Sequence, residues 1–533
     1  MPAHVSIGRC GARVDNVLYN SSMDNVAVAV VPPRKKAPAR ARWRLPAVIA
    51  GVLLALMLLQ LPVIADWSSF AFYDPGTALK GDLLICMGFK PAVDFGYTHG
   101  LATLLFARAG FWLLGRTPWA FLIMTALLEI CMALAIAAFA RAMHIRGAAR
   151  IFLFCALPLA VMPVYLTLTH PLEALLIMWA IAEQACGRRP RALAICTACL
   201  FVKPSMAYVY GFLLTVWTLW DWRHSGGGIA DLFKRTWLAM ATAMVATVVT
   251  LLAFGPVSLA RTIVPLTGMK TYHDTHFGFF AASGFAFWSP FIHGILYYFI
   301  TPAGSYLACA LATAAVGALL LARRRRGLPS RRTQTLLSMA IMLGAFLFGF
   351  YGWPNSWQYY SYLPALFVAA ALATAPRARP CIIAASVLVV LGQATNAGIA
   401  IGAWVVKARY QQTGGLWVYP RQYAAWKRVL AVTAGQPTLV MSNGYLPWMP
   451  PGMVMPLSWF PEPGIPTKIE LRRVAKQALR AKYVVTWNAY GKMSLWNQRD
   501  FAAVRSRFFL LKKEKYFCVW RQRPAVGQAP STR

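Results

Sequence analysis

The chain is short of acid. Its 533 residues hold 16 Asp and Glu against 53 Lys and Arg, a formal net charge of +37, and 59% of them are hydrophobic. A soluble enzyme of this length mixes both signs over its surface; so few acids in so apolar a chain exclude that class and leave a polytopic membrane protein. The basic excess is not a nucleic-acid signature. No nucleic-acid module accompanies it, and most Lys and Arg fall in short runs between apolar segments, as the positive-inside rule expects. Other signals are missing as well. Gly226, Gly227 and Gly228 lack the Lys-Ser/Thr ending of a P-loop, so the stretch from Asp221 to Arg235 reads as a flexible cytoplasmic turn. The ten cysteines build no framework: Cys131, Cys155, Cys309 and Cys381 lie in apolar spans as small hydrophobes, the CxxC of Cys196 and Cys199 has no second pair, and Cys518 stands alone. His273, Asp274 and His276 cluster without a third ligand nearby, so a divalent metal has no support and no cofactor is implied. No repeat of solenoid period is visible.

What is present reads as a bundle of about eleven spans, a mainly α fold. Residues 1–44 form a basic cytoplasmic tail, and Leu45 to Ala65 is the first span, exiting outward. The run from Gly100 to Gly115 is apolar, but at about 1.5 Å per residue it is too short to cross, and Arg108 sits in its middle. It reads as an interfacial helix. That choice keeps Arg141, Arg146 and Arg150, and later Arg188, Arg189 and Arg191, in the cytoplasm. Residues 192–220 carry an interruption at Lys203-Pro204. Two short passes meeting outside at that point keep Arg191 and Arg223 on one side, with Pro204 opening the second helix. Arg323 to Arg326 is the strongest cytoplasmic anchor, and Trp353 to Tyr360 an outer aromatic turn.

From Trp404 the composition changes. Strands are expected over Thr438 to Met441 and Tyr483 to Trp487, an amphipathic helix over Lys468 to Ala481, and a hairpin pairing Phe509 to Lys512 with Tyr516 to Arg521. Residues 404–533 thus form a small extracytoplasmic α/β domain after the membrane domain of residues 45–403.

A quarter of the acids, Asp66, Asp74, Asp82 and Asp94, fall between Asp66 and Gly100, in a first outer loop of residues 66–116. This loop ends in the dense run Lys90, Pro91, Asp94, Phe95, Tyr97, His99, Gly100. Glu129, Glu173 and Glu183 lie in or near spans, where acids are functional candidates; Glu173 either joins a site or caps a helix after His170-Pro171.

The order of these motifs carries a resemblance. Asp-Pro-Gly at Asp74 comes first, then Gly-Phe-Lys-Pro-Ala-Val-Asp-Phe-Gly-Tyr-Thr-His-Gly ending at Gly100, then a helix closing in Leu-Leu-Gly-Arg-Thr. Leu-Phe-Val-Lys-Pro follows at Lys203, and Tyr-Tyr-Ser-Tyr-Leu-Pro late in the chain. Over roughly Leu45 to Ala403 this resembles the GT-C superfamily of integral-membrane glycosyltransferases, which use polyprenyl-phosphate sugar donors. The resemblance implies that Asp74 is the catalytic acid of the first outer loop, with Pro75 where the family has a second acid. It implies Asp94 as a second catalytic carboxylate and Lys203 as a lysine near the donor phosphate. Lys90, His99, Arg108 and Arg261 are the further candidates for binding substrate.

The chemistry requires a carboxylate to take the acceptor's hydroxyl proton and positive charge to hold the leaving phosphate. The expectation is a transferase of a bacterial cell membrane acting on its outer face. Its partners are a polyprenyl-phosphate-linked sugar, membrane lipid and a glycan, lipid or protein acceptor, with no nucleic acid. Two alternatives remain: a transporter or flippase for a lipid-linked or polar solute, and an inactive assembly protein, which the missing second acid favours.

Overall fold

A computed structural model describes residues 39–72, 75–97, 99–161, 167–264, 330–349, 362–374, 401–402, 404–410, 415–442, 449–458, 466–488, 495–497 and 499–524, with single residues between the later stretches. Several expectations lie outside the described residues: most of the basic tail, Asp74, the cluster at His273, the anchor at Arg323, the turn at Trp353, and most of the segment from Ile382 to Ala403.

The described chain is mainly helical. In order come α1 (Ala39–Ile64), α2 (Trp67–Phe72), α3 (Pro75–Cys86), α4 (Leu101–Leu114), α5 (Pro118–Ala142), α6 (Ala148–Val161), α7 (Thr169–Ala185), α8 (Arg189–Leu200), α9 (Pro204–His224), α10 (Ile229–Phe254), α11 (Pro256–Ile263), α12 (Arg331–Gly349) and α13 (Tyr362–Thr374). Local chemistry sets several boundaries. The Thr117 hydroxyl accepts from the Ala120 N–H at 3.1 Å, with Pro118 in the first turn of α5. Pro204 opens α9 in the same way.

Among the described residues, three helices are long and apolar enough to cross a membrane: α1 over Arg44–Pro62, then α5, then α10. The span count expected from sequence is larger. Helices α4, α6 and α13 are apolar but shorter; the 14 residues of α4 rise about 21 Å against a hydrocarbon thickness of about 30 Å. Helix α10 also starts earlier than expected, at Ile229, so the flexible turn shrinks to the glycines before it. Along α10, Trp237, Met240, Met244, Val248 and Leu252 are exposed, an uncovered apolar face that suits lipid.

The segment containing Lys203-Pro204 is an antiparallel hairpin of α8 and α9. Arg189, at the start of α8, donates to the Trp217 carbonyl at 2.7 Å and the Asp221 carboxylate at 2.6 Å, near the end of α9. Cys196 packs beside Ala207, its thiol 3.3 Å from that carbonyl. Arg191 and Arg223 therefore share one end of the hairpin and Lys203 occupies the other.

The C-terminal region adds α14 (Pro420–Thr433), β1 (Thr438–Met441), β2 (Met453–Val454), α15 (Lys468–Arg480), β3 (Tyr483–Trp487), α16 (Ala502–Arg505), β4 (Phe508–Lys513) and β5 (Phe517–Gln522). The sheet order is β2-β1-β3-β5-β4. β1 pairs in parallel with β2 and with β3, in the register Thr438 to Tyr483, and β5 runs antiparallel to β3 and β4. Helix α15 makes the crossover from β2 to β3, as strand–helix–strand order requires. A capping box starts it: the Thr467 hydroxyl accepts from the Glu470 N–H at 3.1 Å, and the Glu470 carboxylate accepts from the Thr467 N–H at 3.0 Å.

This sheet packs on the first loop. Asp66 pairs with Lys407 at 3.0 Å, and Trp67 donates its N–H to the Trp417 carbonyl at 2.8 Å. Glu470 also accepts from the Gly96 N–H at 2.7 Å, and Arg473 donates to the Asp94 carbonyl at 3.0 Å while lying 3.9 Å over the Phe89 ring.

Candidate substrate site

The end of the first loop docks on the tip of the α8–α9 hairpin. The first N–H groups of α4 have no partner within their own helix, and the hairpin tip supplies carbonyls for them. The Gly100 N–H donates to the Val202 carbonyl at 2.9 Å and the Ala102 N–H to the Phe201 carbonyl at 2.8 Å. The Thr103 hydroxyl reaches the Val202 carbonyl at 3.3 Å. Gly100 is required by this approach, because a Cβ there would stand 2.1 Å from the Phe201 oxygen. The two sequence motifs that end in His-Gly and in Lys-Pro thus meet through their backbones.

Lys203, Glu173, His170 and His99 gather at this junction. The Lys203 ammonium lies 3.1 Å from Nδ1 of His170 and 3.5 Å from the Glu173 carboxylate. Glu173 is fully buried. It accepts from the Ser205 hydroxyl at 3.1 Å and the Met206 N–H at 3.4 Å, so it caps the N-terminus of α9 from α7, where a negative charge is favoured by the helix dipole. Of the two alternatives for Glu173, site or cap, the structure shows a cap, and the helix it caps is α9 and not its own. The His99 ring packs edge-on against His170 at 6.3 Å and against Tyr97 at 5.8 Å between centroids. Desolvation pushes the His99 pKa well below the ordinary imidazole range, and Lys203 and then His170 push it further. His99 is therefore a neutral ring beside a cation, a hydrogen-bonding group rather than a second charge.

Of the residues expected from sequence, Lys203 and His99 come together here. Arg261 donates to the Ala92 carbonyl at 2.8 Å, bracing the loop upstream of Tyr97. Asp94 closes a turn: its carboxylate accepts from the Lys90 N–H at 2.8 Å. The Lys90 side chain is exposed. Arg108 lies about two turns along α4, about 12 Å from Gly100, and pairs with Asp82 at 3.6 Å, which Arg116 also holds at 2.7 Å. Asp74 lies outside the described residues, between the ends of α2 and α3. His170 and Ser205 are the members that sequence reasoning did not select. Their signal is the pairing of two polar-Pro helix starts, His170-Pro171 and Lys203-Pro204, on consecutive turns of the bundle.

The cluster offers one cation, two neutral imidazoles and a buried acid that fixes the cation in place, which suits an anionic oxygen such as a phosphate. Among the described residues, no three His, Cys, Asp or Glu side chains gather as metal ligands. Comparison with known proteins finds no match: no family model, no curated protein and no solved structure corresponds to this chain.

Proposed function

We propose that the chain is an integral-membrane glycosyltransferase of GT-C type, using a polyprenyl-phosphate sugar donor at the outer face of a bacterial cell membrane. The observation that supports this reading is the junction of Gly100 with the hairpin tip, where Lys203 and His99 both meet the His170 ring. Lys203 takes the donor phosphate, with His99 and His170 as neutral neighbours. In the reaction, the bond from the sugar's anomeric carbon to the phosphate oxygen breaks, and the electron pair leaves with the phosphate. The acceptor oxygen forms the new bond, and its proton goes to a carboxylate, for which the resemblance proposes Asp74. The bundle of about eleven spans, with the C-terminal domain outside, is part of the same proposal.

A second reading, a lipid-linked solute transporter, draws on the buried polar contacts between α7, α9 and α12. There Gln184 donates to the Ser338 hydroxyl at 3.4 Å, Trp217 to the same hydroxyl at 2.9 Å, and Tyr210 to Gln184. Purified protein in nanodiscs, given labelled polyprenyl-phosphate sugars and an envelope acceptor fraction, separates the two. Sugar transfer that is lost in Lys203→Ala supports the transferase; movement of the lipid across the bilayer without transfer supports the transporter and overturns it.

A further inference from the structure

Lys80 belongs to α3 of the first loop and is fully buried. Its ammonium donates at 2.9 Å to the carbonyl of Ser442, the residue after β1. Two positions on, the Gly444 N–H donates to the Ala71 carbonyl at 3.1 Å. The backbones approach so closely that a Cβ at Gly444 would stand 2.0 Å from the Phe70 oxygen and 3.1 Å from the Gly76 Cα. Phe70 and Ala71 lie near the end of α2, and Gly76 is in the first turn of α3. The loop after β1 therefore lies across the two helix ends that flank Asp74 in the sequence.

The sheet adds an independent observation. β1 is flanked in parallel by β2 on one side and β3 on the other. The carboxyl end of such a strand is where open α/β sheets hold their ligands. In this protein that end faces the first loop.

A buried ammonium is costly unless compensated, and a methionine would fill the same space without that cost. Burial lowers the Lys80 pKa to about 7, with Glu470 pulling it back upward. The charged group that acts on it, Glu470 of α15, also accepts from the Gly96 and Thr467 N–H groups.

We infer that Lys80 is a positioning residue whose amine holds the loop after β1 against the ends of α2 and α3, docking the C-terminal domain on the first loop. This docking does not rest on the proposed function.

Hydrogen exchange of the full chain in detergent tests this, read at the Gly444 amide and, as controls, at the β1 and β3 amides. An undocked Lys80 returns toward its ordinary value of 10.5. Between pH 7 and that value the undocked form binds the extra proton, so docking strengthens as pH rises, by up to about tenfold per unit. After correction for intrinsic exchange, wild-type protection at Gly444 should climb from pH 7 to 9. In Lys80→Met it should be several-fold lower at pH 9 and flat with pH, while β1 and β3 keep theirs. Gly444→Ala, with Lys80 intact, should lose the same local protection. Wild-type protection in Lys80→Met, a surviving pH slope, or equal loss across β1 and β3 would each overturn the inference. A wild type that docks but transfers no sugar removes the proposed function and leaves the positioning role standing.

Discussion

The Lys203 ammonium stands 3.1 Å from Nδ1 of His170. An ammonium has only protons to give, so the ring nitrogen accepts, and the neutral imidazole carries its proton on Nε2. On the other side Glu173 lies 3.5 Å away. Lys203 is thus oriented by an acid and a ring that sit on α7, while its own backbone caps α9. A flexible side chain has become a fixed charge, the form in which charge is most useful to a phosphate.

Replacing Lys203 by Ala should weaken donor binding more than acceptor binding. A charge-assisted hydrogen bond is worth about 1.5–3 kcal/mol, which corresponds to roughly 10–100-fold in Kd. Filter binding of a labelled polyprenyl-phosphate sugar measures it. An unchanged donor Kd in folded protein would leave Lys203 as a counterion for Glu173 and nothing more.

Glu173→Ala should act on stability first. The carboxylate is fully buried and holds the Met206 N–H, the Ser205 hydroxyl and the Lys203 charge together. Breaking a buried pair from one side costs about 3–5 kcal/mol. Thermal melts in detergent should show a clear fall in Tm, and a smaller one for Glu173→Gln, which keeps an oxygen at the helix end. Equal melts for the two variants would mean that the capping bonds carry no weight.

Much of this was readable in the sequence. The positive-inside rule places Arg191 and Arg223 together, and the hairpin of α8 and α9 obeys it through Arg189 and Asp221. Strands β1 and β3, α15 and the β4–β5 hairpin follow from short β-rich runs, an amphipathic stretch and strand–helix–strand order. Three features were not readable. β2 is two residues long, too short to show a period. His170 carries no spacing signal toward Lys203, because α7 and α8 bring them together across 33 positions. Lys80 sits two residues before Asp82 in α3 with nothing to mark it; its partner carbonyl is 362 positions away, a distance over which no local pattern speaks.

His99 should make the junction sensitive to acid. Its pKa in the folded protein lies well below the ordinary 6.5, mainly through desolvation. Above about pH 6.5 both folded and unfolded forms are neutral and nothing changes. Below it the unfolded form takes up a proton that the folded form refuses, so stability falls until the depressed folded value is reached. Melts from pH 8 to pH 5 should show a drop that His99→Phe reduces. An identical pH profile in the variant would place the acid-sensitive group elsewhere.

Gly100→Ala should disrupt the junction. The added carbon would meet the Phe201 carbonyl oxygen at 2.1 Å and the Val202 carbonyl carbon at 2.8 Å, backbone atoms that have no rotamer to move to. Relieving the clash requires α4 to lift from the hairpin tip, so loss of donor binding should accompany a lower Tm. Gly51→Ala, where nothing lies within 4 Å, is the control and should be close to neutral. Normal donor binding in Gly100→Ala would separate the first loop from the Lys203 site.

The last prediction concerns which parts of the chain share a side of the membrane. Gly100 bonds to the hairpin tip, and Gly96 in the same loop bonds to Glu470 of the C-terminal domain. No bilayer fits between groups in direct contact, so α4, Lys203 and the sheet domain lie at one face. Helix α9 runs 21 residues from that tip, about 31 Å, which matches the hydrocarbon thickness of about 30 Å. Helix α9 is not one of the three helices long and apolar enough by composition, and it crosses only in the proposed bundle, which puts His224 at its far end, with Arg223, at the opposite face. Ala109 on α4, Lys515 in the sheet domain and His224 are exposed. Among the described residues the thiols of Cys86, Cys131, Cys155 and Cys186 are exposed, and these must first be removed together with Cys10, Cys309 and Cys381. In intact cells an impermeant maleimide should label Ala109→Cys and Lys515→Cys, and should reach His224→Cys only after permeabilisation. Labelling of His224→Cys together with the other two would deny that α9 crosses the membrane. Protection of Ala109→Cys and Lys515→Cys with free labelling of His224→Cys would invert the protein and place its candidate site in the cytoplasm.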